Sequence, residues 1–189
     1  LKVKKTVVPV IWMLALTLQL NSVTAQYTLD QEVSFLYING TSTLHNWTVV
    51  AEEMKGSMSS KVESGRIKKI ASVQITVPVM ALKSGKAGMD QNMYKALKAD
   101  QFPQISYKLK SHSINGSEIA VTGELTVAGI TKIIKSKVTC QNAGKHIKST
   151  GELTLTMSDF GIKPPEFLMG AFKTGDQVSM RFYLMFCTN

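Results

Sequence analysis

Apolar and polar side chains alternate in short runs separated by turn residues along most of the chain after residue 26. Val33 to Ile38 is the first run and ends at Asn39-Gly40, a dipeptide that favours the tight turn of a β-hairpin. His45 to Met54 alternates around Trp47, Val49 and Ala51. Ile67 to Leu82 is long and β-branched, and Pro78 within it marks a bend or a sheet edge. Ile105, Tyr107 and Leu109 share one face of a predicted strand, while Lys108 and Lys110 take the other. Asn115-Gly116 turns the chain into Glu118 to Val127, and Ala128-Gly129 separates that run from Thr131 to Cys140. Leu153, Leu155 and Met157 follow, and Val178, Met180, Phe182, Leu184 and Phe186 end the series. About eight strands at regular spacing predict an all-β antiparallel sandwich or barrel.

One segment changes period. Met89, Met93 and Leu97 recur every four residues, which predicts a short helix from Asp90 to Lys98 with Asp90 as its N-cap. Its apolar stripe is suited to core packing, and beside a barrel opening it is also suited to capping.

Composition alters this picture first at the N-terminus. Lys2, Lys4 and Lys5 precede a mostly apolar run from Val7 to Leu20, and Val23-Thr24-Ala25 places small residues where a signal peptidase cuts. The pattern predicts a signal peptide over 1–25, a mature chain beginning at Gln26, one domain over 26–189, and a periplasmic or secreted location. A buried N-terminal helix or a membrane anchor is the alternative for that run.

The chain is basic, with a formal net charge of +9, but nearly all of the positive charge is lysine, and Arg66 and Arg181 are the only arginines. Nucleic-acid readers rely on arginine forks and clustered aromatics, and neither occurs, so no nucleic-acid partner is expected. Lys108, Lys110, Lys135 and Lys137 alternate as a solvated outer face would. Weak contact with an anionic membrane surface is compatible with this charge.

Catalytic motifs are missing. His45, His112 and His146 are isolated, and there is no nucleophile elbow, phosphate loop or CxxC pair. The expectation is a protein that is not an enzyme and needs no metal or cofactor. Cys140 and Cys187 end predicted strands that run the same way with one strand between them. Two spacings of about 4.8 Å exceed the usual reach of a disulfide. A bond and two separate thiols both stay open.

Three stretches together resemble the YceI-like, polyisoprenoid-binding family. The first is Thr41-Ser42-Thr43-Leu44-His45-Asn46-Trp47-Thr48, similar to an early S-x-L-H-x-W strand. The second runs from Gly88-Met89-Asp90 through Leu97-Lys98 to Phe102-Pro103-Gln104-Ile105-Ser106-Tyr107. The third joins Gly123-Glu124-Leu125-Thr126-Val127 through Lys132 to Ser158-Asp159-Phe160-Gly161-Ile162-Lys163-Pro164-Pro165. One departure is the segment Ala99-Asp100-Gln101-Phe102, where the family carries F-F-D before the proline.

The resemblance implies an eight-stranded antiparallel lipocalin-like barrel with a short helix near its opening, holding an isoprenoid-type lipid or quinone. A dry wall with few polar groups at one end suits such a ligand. The residues expected to bind it are Trp47, Met89, Met93, Leu97, Phe102, Phe160, Ile162, Phe167, Leu168 and Phe172. Phe160 to Phe172, with Met169 among them, surround Pro164-Pro165 and form a stiff apolar loop that acts as a lid or a plug. His45 is assigned to holding nearby backbone. The alternative function is a non-catalytic stress or protein-interaction module whose barrel is filled by its own side chains. An enzyme acting on a lipid-like substrate is a third.

Overall fold

In the computed structural model the described residues are 24–167 and 172–188, the side chains of Phe167 and Phe172 excepted. The stretch read as a signal peptide lies, up to residue 23, outside the described residues. The first half of the fold contains β1 (Ala25–Leu29), β2 (Phe35–Ser42), β3 (Trp47–Ala51), β4 (Lys55–Glu63), β5 (Arg66–Pro78), β6 (Leu82–Lys83) and α1 (Ala87–Ala96). The second half contains β7 (Gln104–Asn115), β8 (Glu118–Val127), β9 (Ile130–Ala143), β10 (His146–Thr156), β11 (Glu166–Phe167) and β12 (Phe172–Cys187).

Eight strands close a ring in the order β1, β4, β5, β7, β8, β9, β10, β12, with β12 returning to β1. Every pairing is antiparallel. Three of the remaining strands lengthen staves of this barrel: β2 continues β1 alongside β12, β3 pairs with β2, and β6 pairs with β3, while β11 pairs with the start of β12. Inward positions of successive strands pack into one core that includes Leu36, Val49, Met58, Ile119, Ile147 and Phe186.

The first two staves are interrupted, and side chains together with one further backbone bond keep the ladder satisfied there. The Gln31 carbonyl oxygen accepts from the Met54 N–H, and its amide donates to Glu52 O at 3.3 Å. On the other side, Asp30 N–H donates to Met185 O at 2.8 Å and Met185 N–H donates to Ser34 Oγ at 3.0 Å.

Two local expectations need correction, and one strand had no pattern to predict it. Asn39-Gly40 is not a turn, because β2 runs through it and the chain reverses at Thr43–His45 instead. Glycine is required at position 40 for another reason: a β-carbon there would lie 2.1 Å from Cζ2 of Trp47. The helix begins three residues before Asp90, with Lys86 at the N-cap. Asp90 is buried in its first turn, where its carboxylate accepts from Ser84 N–H at 2.8 Å. Finally, β4 carries little alternation to read. Ser59 and Ser60 are buried in it, and Ser60 Oγ donates to Lys69 O at 2.9 Å.

Two seams of the barrel are only partly laddered. β9 and β10 pair from Val138 opposite Gly151 towards their shared turn and no further. β5 and β7 pair only between Gln74–Pro78 and Gln104–Lys108. Below that ladder, Ile70 N–H donates to Nε2 of His112 at 3.3 Å, so an imidazole takes the place of a strand carbonyl.

Burial, and secondarily the charge of Lys69, hold His112 below the ordinary imidazole pKa of 6.5. Protonation would remove the accepting lone pair. The unfolded chain therefore takes up this proton more readily than the folded one, so the contribution is complete above pH 6.5 and is lost as pH falls through the depressed folded value. Thermal unfolding measured across this range should show a fall in Tm on acidification that is smaller in His112→Gln, whose amide oxygen accepts at any pH. Identical pH profiles would remove His112 from the seam.

Candidate binding cavity

A strand's side chains alternate between its two faces, so each stave turns every second residue into the lumen. On β8 these are Ile119, Val121, Leu125 and Val127, all buried. On β7 they are Ile105, Tyr107 and Leu109, half-buried because the lumen beside them is not filled. A cavity of about 460 Å³ occupies the end nearest α1, and a second of about 130 Å³ lies deeper. Ile105, Leu125 and Met180 line both, so the two chambers meet at a waist. Leu44, Lys86 and Lys173 line the larger chamber and are exposed to solvent, so it opens between them.

The helix forms one wall of this opening. Met89, Met93 and Leu97 all line the larger chamber, as their four-residue spacing predicts. Tyr94, on another face of α1, is buried and fixes the helix to the barrel: its hydroxyl donates to Leu82 O at 2.8 Å and accepts from Lys83 Nζ at 2.9 Å. Asp90 ties the first turn to Ser84. The helix is therefore anchored on one side while its apolar stripe is left free to meet a ligand.

Trp47, Phe160 and Ile162 also line the larger chamber. The Trp47 ring lies on Gly40, and its Nε1–H donates to Thr41 O at 3.1 Å. Phe160 and Ile162 are buried with Leu125, Val127 and Ala128, next to the unpaired upper halves of β9 and β10. Phe102 does not line either chamber. It covers the β8–β9 turn, where a β-carbon on Gly129 would lie 2.5 Å from its ring.

The predicted apolar loop is in part a short hairpin, with Glu166 opposite Lys173 and Phe167 opposite Phe172. Leu168 and Met169 lie outside the described residues, as do the side chains of Phe167 and Phe172. His45 lines the opening, but the local backbone is held by Ser42, whose Oγ accepts from Leu44 N–H and His45 N–H and donates to His45 O.

Sequence reading missed the wall residues Ile38, Leu125, Leu155, Val178 and Met180 and the rim residues Leu44, Lys86 and Lys173. The parity of the strands was enough to find the first group. Nothing local marks the second, which is gathered from the β2–β3 turn, the segment before α1 and the start of β12. Polar groups collect at the opening: Ser42, His45, Lys86, Asn92, Thr156 and Lys173. No aspartate or glutamate lines it.

The deep chamber is lined by apolar groups apart from Tyr107, Ser136, Cys140 and Ser149. Burial pushes the Tyr107 phenol upward and, against the opposing effect of Ser149, the Cys140 thiol as well. Cys140 faces this chamber within 3.1 Å of Ser149 Oγ. Cys187 is one residue beyond the inward Phe186 and contacts Nδ1 of His146 at 3.0 Å. The two cysteines are thus free thiols on opposite faces. Among the described residues no group of three His, Cys, Asp or Glu side chains could hold a metal ion.

Residues 27–186 match the sequence profile of the YceI-like domain family. The fold is similar to that of BcnA from Burkholderia cenocepacia, at 19% identity over 83% of this chain and 98% of that one, with a TM-score of 0.71. A polyisoprenoid-binding domain from Saccharophagus degradans, implicated in plant cell wall breakdown, aligns at 13% identity over 88% of this chain and 100% of its own, with a TM-score of 0.68. The Campylobacter jejuni YceI protein aligns at 16% identity over 72% of this chain and 82% of its own, with a TM-score of 0.60. Among curated proteins none matches by sequence.

The Gly40–Trp47 contact gives a direct test of how the opening is built. Gly40→Ala should force the indole off the wall, at a cost of roughly 1–3 kcal/mol for overpacking. Denaturant unfolding measures the cost. Trp12 and Trp47 are the two tryptophans, so the emission of a Trp12→Phe chain reads the displacement. Unchanged emission and stability would show that the ring is not held by position 40.

Proposed function

Because the chain belongs to the YceI-like domain family, we propose that it binds an isoprenoid-type lipid, a long prenyl chain or prenyl quinone, inside its barrel. The observation that carries this reading is the hollow itself: two chambers joined at Ile105, Leu125 and Met180, with polar groups collected at one end. A tapering apolar channel with a polar rim accepts a long hydrocarbon tail and leaves a headgroup at the opening. The role of a polyisoprenoid-binding domain in the Saccharophagus neighbour points the same way. The hollow also favours this reading over a self-filled interaction module, whose lumen would be packed to ordinary interior density.

On this reading Trp47, Met89, Met93, Leu97, Phe160 and Ile162 touch the ligand near the opening, and Tyr107 and Phe182 lie along the deeper tail. The protein's task on this reading is binding and transfer, not bond chemistry: Ser42 and His45 both line the opening, but the Ser42 hydroxyl is engaged with the backbone of its own turn. Cys140 is the one thiol in the deep wall, and burial pushes its pKa up and so favours the protonated form.

Burying each methylene-sized unit contributes roughly 0.8 kcal/mol, so about ten units give about 8 kcal/mol before ordering costs. That gross value corresponds to about micromolar affinity, so useful retention requires a chain that passes the waist. In the Trp12→Phe chain a long prenyl quinone should therefore quench Trp47 saturably, and a short one far more weakly. Met93→Glu, which places a charge in the dry wall, should abolish quenching by both. Solvent extraction of the purified protein followed by mass spectrometry should recover a prenyl lipid. An empty extract with emission indifferent to every prenyl ligand would end this proposal.

The proposal includes export. The Lys2–Lys5 charges, the Val7–Leu20 run and Val23-Thr24-Ala25 support a cleaved signal and a periplasmic or secreted location. N-terminal sequencing of the exported protein should begin at Gln26, and an intact Lys2 on soluble exported protein would refute cleavage.

A further inference from the structure

The rim of the larger chamber combines three features that the lumen alone does not need. Leu44 is 63% exposed at the apex of the β2–β3 turn, the most exposed of the large apolar side chains described. That turn is rigid. Ser42 Oγ accepts from Leu44 N–H at 3.3 Å and His45 N–H at 3.2 Å. Thr43 N–H donates to Lys173 O at 3.0 Å, and Lys173 N–H donates to Thr43 Oγ1 at 3.2 Å. A leucine is thus held out into water beside an apolar cavity, where a free loop would fold it inward.

The second feature is charge. Lys86 and Lys173, both exposed, stand at the same opening; no carboxylate lines the chamber, and the acidic residue set against them is Glu166, opposite Lys173 on β11. The third is Trp47, whose ring lies on the wall and whose N–H is already satisfied. An apolar tip, an amphipathic aromatic and a pair of exposed lysines are the side chains that settle at a bilayer's interface. The lysines match anionic headgroups, which carry the opposite charge.

We infer that the opening docks on an anionic lipid bilayer, with Leu44 as the inserted tip and Lys86 and Lys173 against the headgroups. This rests on the proposed lipid-binding function, because docking lets a ligand pass between bilayer and cavity without crossing water. A second copy of the chain is a poorer occupant, since it would bring the same two lysines against each other.

The test uses the full chain with Trp12→Phe and vesicles containing brominated phosphatidylcholine, which quenches tryptophan in contact with the brominated chains. Readout at Trp47 is local to the opening, so attachment through residues 1–23 does not register by itself. Quenching should be strong on vesicles that also contain phosphatidylglycerol, weak on pure phosphatidylcholine vesicles, and lost at high salt. Each lysine near the surface contributes about 5-fold, so Lys86→Gln with Lys173→Gln should weaken docking roughly 25-fold. Lys108→Gln with Lys135→Gln, which removes the same charge from the outer barrel face, should change it little. Leu44→Glu should abolish it.

Equal quenching by both kinds of vesicle would overturn the inference, because it reports lipid uptake into the cavity and not docking. Equal loss in the two lysine pairs would overturn it in favour of diffuse net charge. Sedimentation without vesicles that Leu44→Glu removes would replace the bilayer with a second copy. Silence on every vesicle, with saturable quenching by a solubilised long prenyl quinone, would refute docking and leave the lipid-binding function standing. Silence in both would refute the two together.

Discussion

Closure of the sheet on itself depends on β12. A strand at a sheet edge presents unpaired N–H and C=O groups, and a closed barrel removes that exposure. β12 pairs along one side with β10 over Gln177 to Cys187. Its other side meets β2 from Thr174 to Tyr183 and then β1 at Phe186 and Cys187. The gap between those two partners falls where β1 gives way to β2, and there Asp30 and Ser34 bond to Met185. The interruption therefore bends the stave without leaving an open edge. The same bend carries β2 and β3 towards the opening and presents the Leu44 turn and Trp47 at the rim.

The two partly laddered seams follow from the same geometry. A ring of eight strands that is wide at one end and narrow at the other cannot keep every neighbouring pair in register along its whole length. Here the mismatch is released below the β5–β7 ladder, where His112 bridges to Ile70, and above the β9–β10 ladder, where Phe160 and Ile162 pack. Both replacements are side chains, so both are softer than a backbone ladder. The chambers are bordered by the least uniformly held parts of the wall.

Much of the barrel was legible where one face of a strand is apolar and the other polar. β7, β8 and β12 are of this kind, and their turns at Asn115-Gly116 and Ala128-Gly129 were read correctly. β1 and β4 were not read. β4 buries two serines, Ser59 and Ser60, at a bulge, and Ser60 Oγ donates to Lys69 O on β5, so its alternation disappears. Asn39-Gly40 misled because a glycine that makes room for a ring has the same letter as a glycine that makes a turn. Of the predicted binding residues, those on α1 and beside Trp47 were found by periodicity and motif. Phe102 was misplaced because a turn glycine 27 residues away, Gly129, determines where its ring goes. The lysines of the rim come from the N-cap of α1 and the start of β12, distant in sequence, and only the closed ring brings them together.

Why the lumen is hollow is a separate question from why it closes. Aromatic side chains facing inward from a ring of eight strands are long enough to fill it. Three that face this lumen are instead folded against glycines on a neighbouring strand: Trp47 on Gly40, Tyr107 on Gly123 and Phe182 on Gly151. In each case a β-carbon on the glycine would come within 2.1–2.5 Å of the ring. The missing β-carbon lets the ring lie along the wall, where it screens a weak stretch of strand and leaves the axis clear. Low identity to the structural neighbours, between 13% and 19%, fits this division of labour. Closure requires only alternation and register, which many sequences satisfy, whereas the clear axis is produced by particular pairs. The pairing of glycine with ring is therefore what converts a packed eight-stranded barrel into a container.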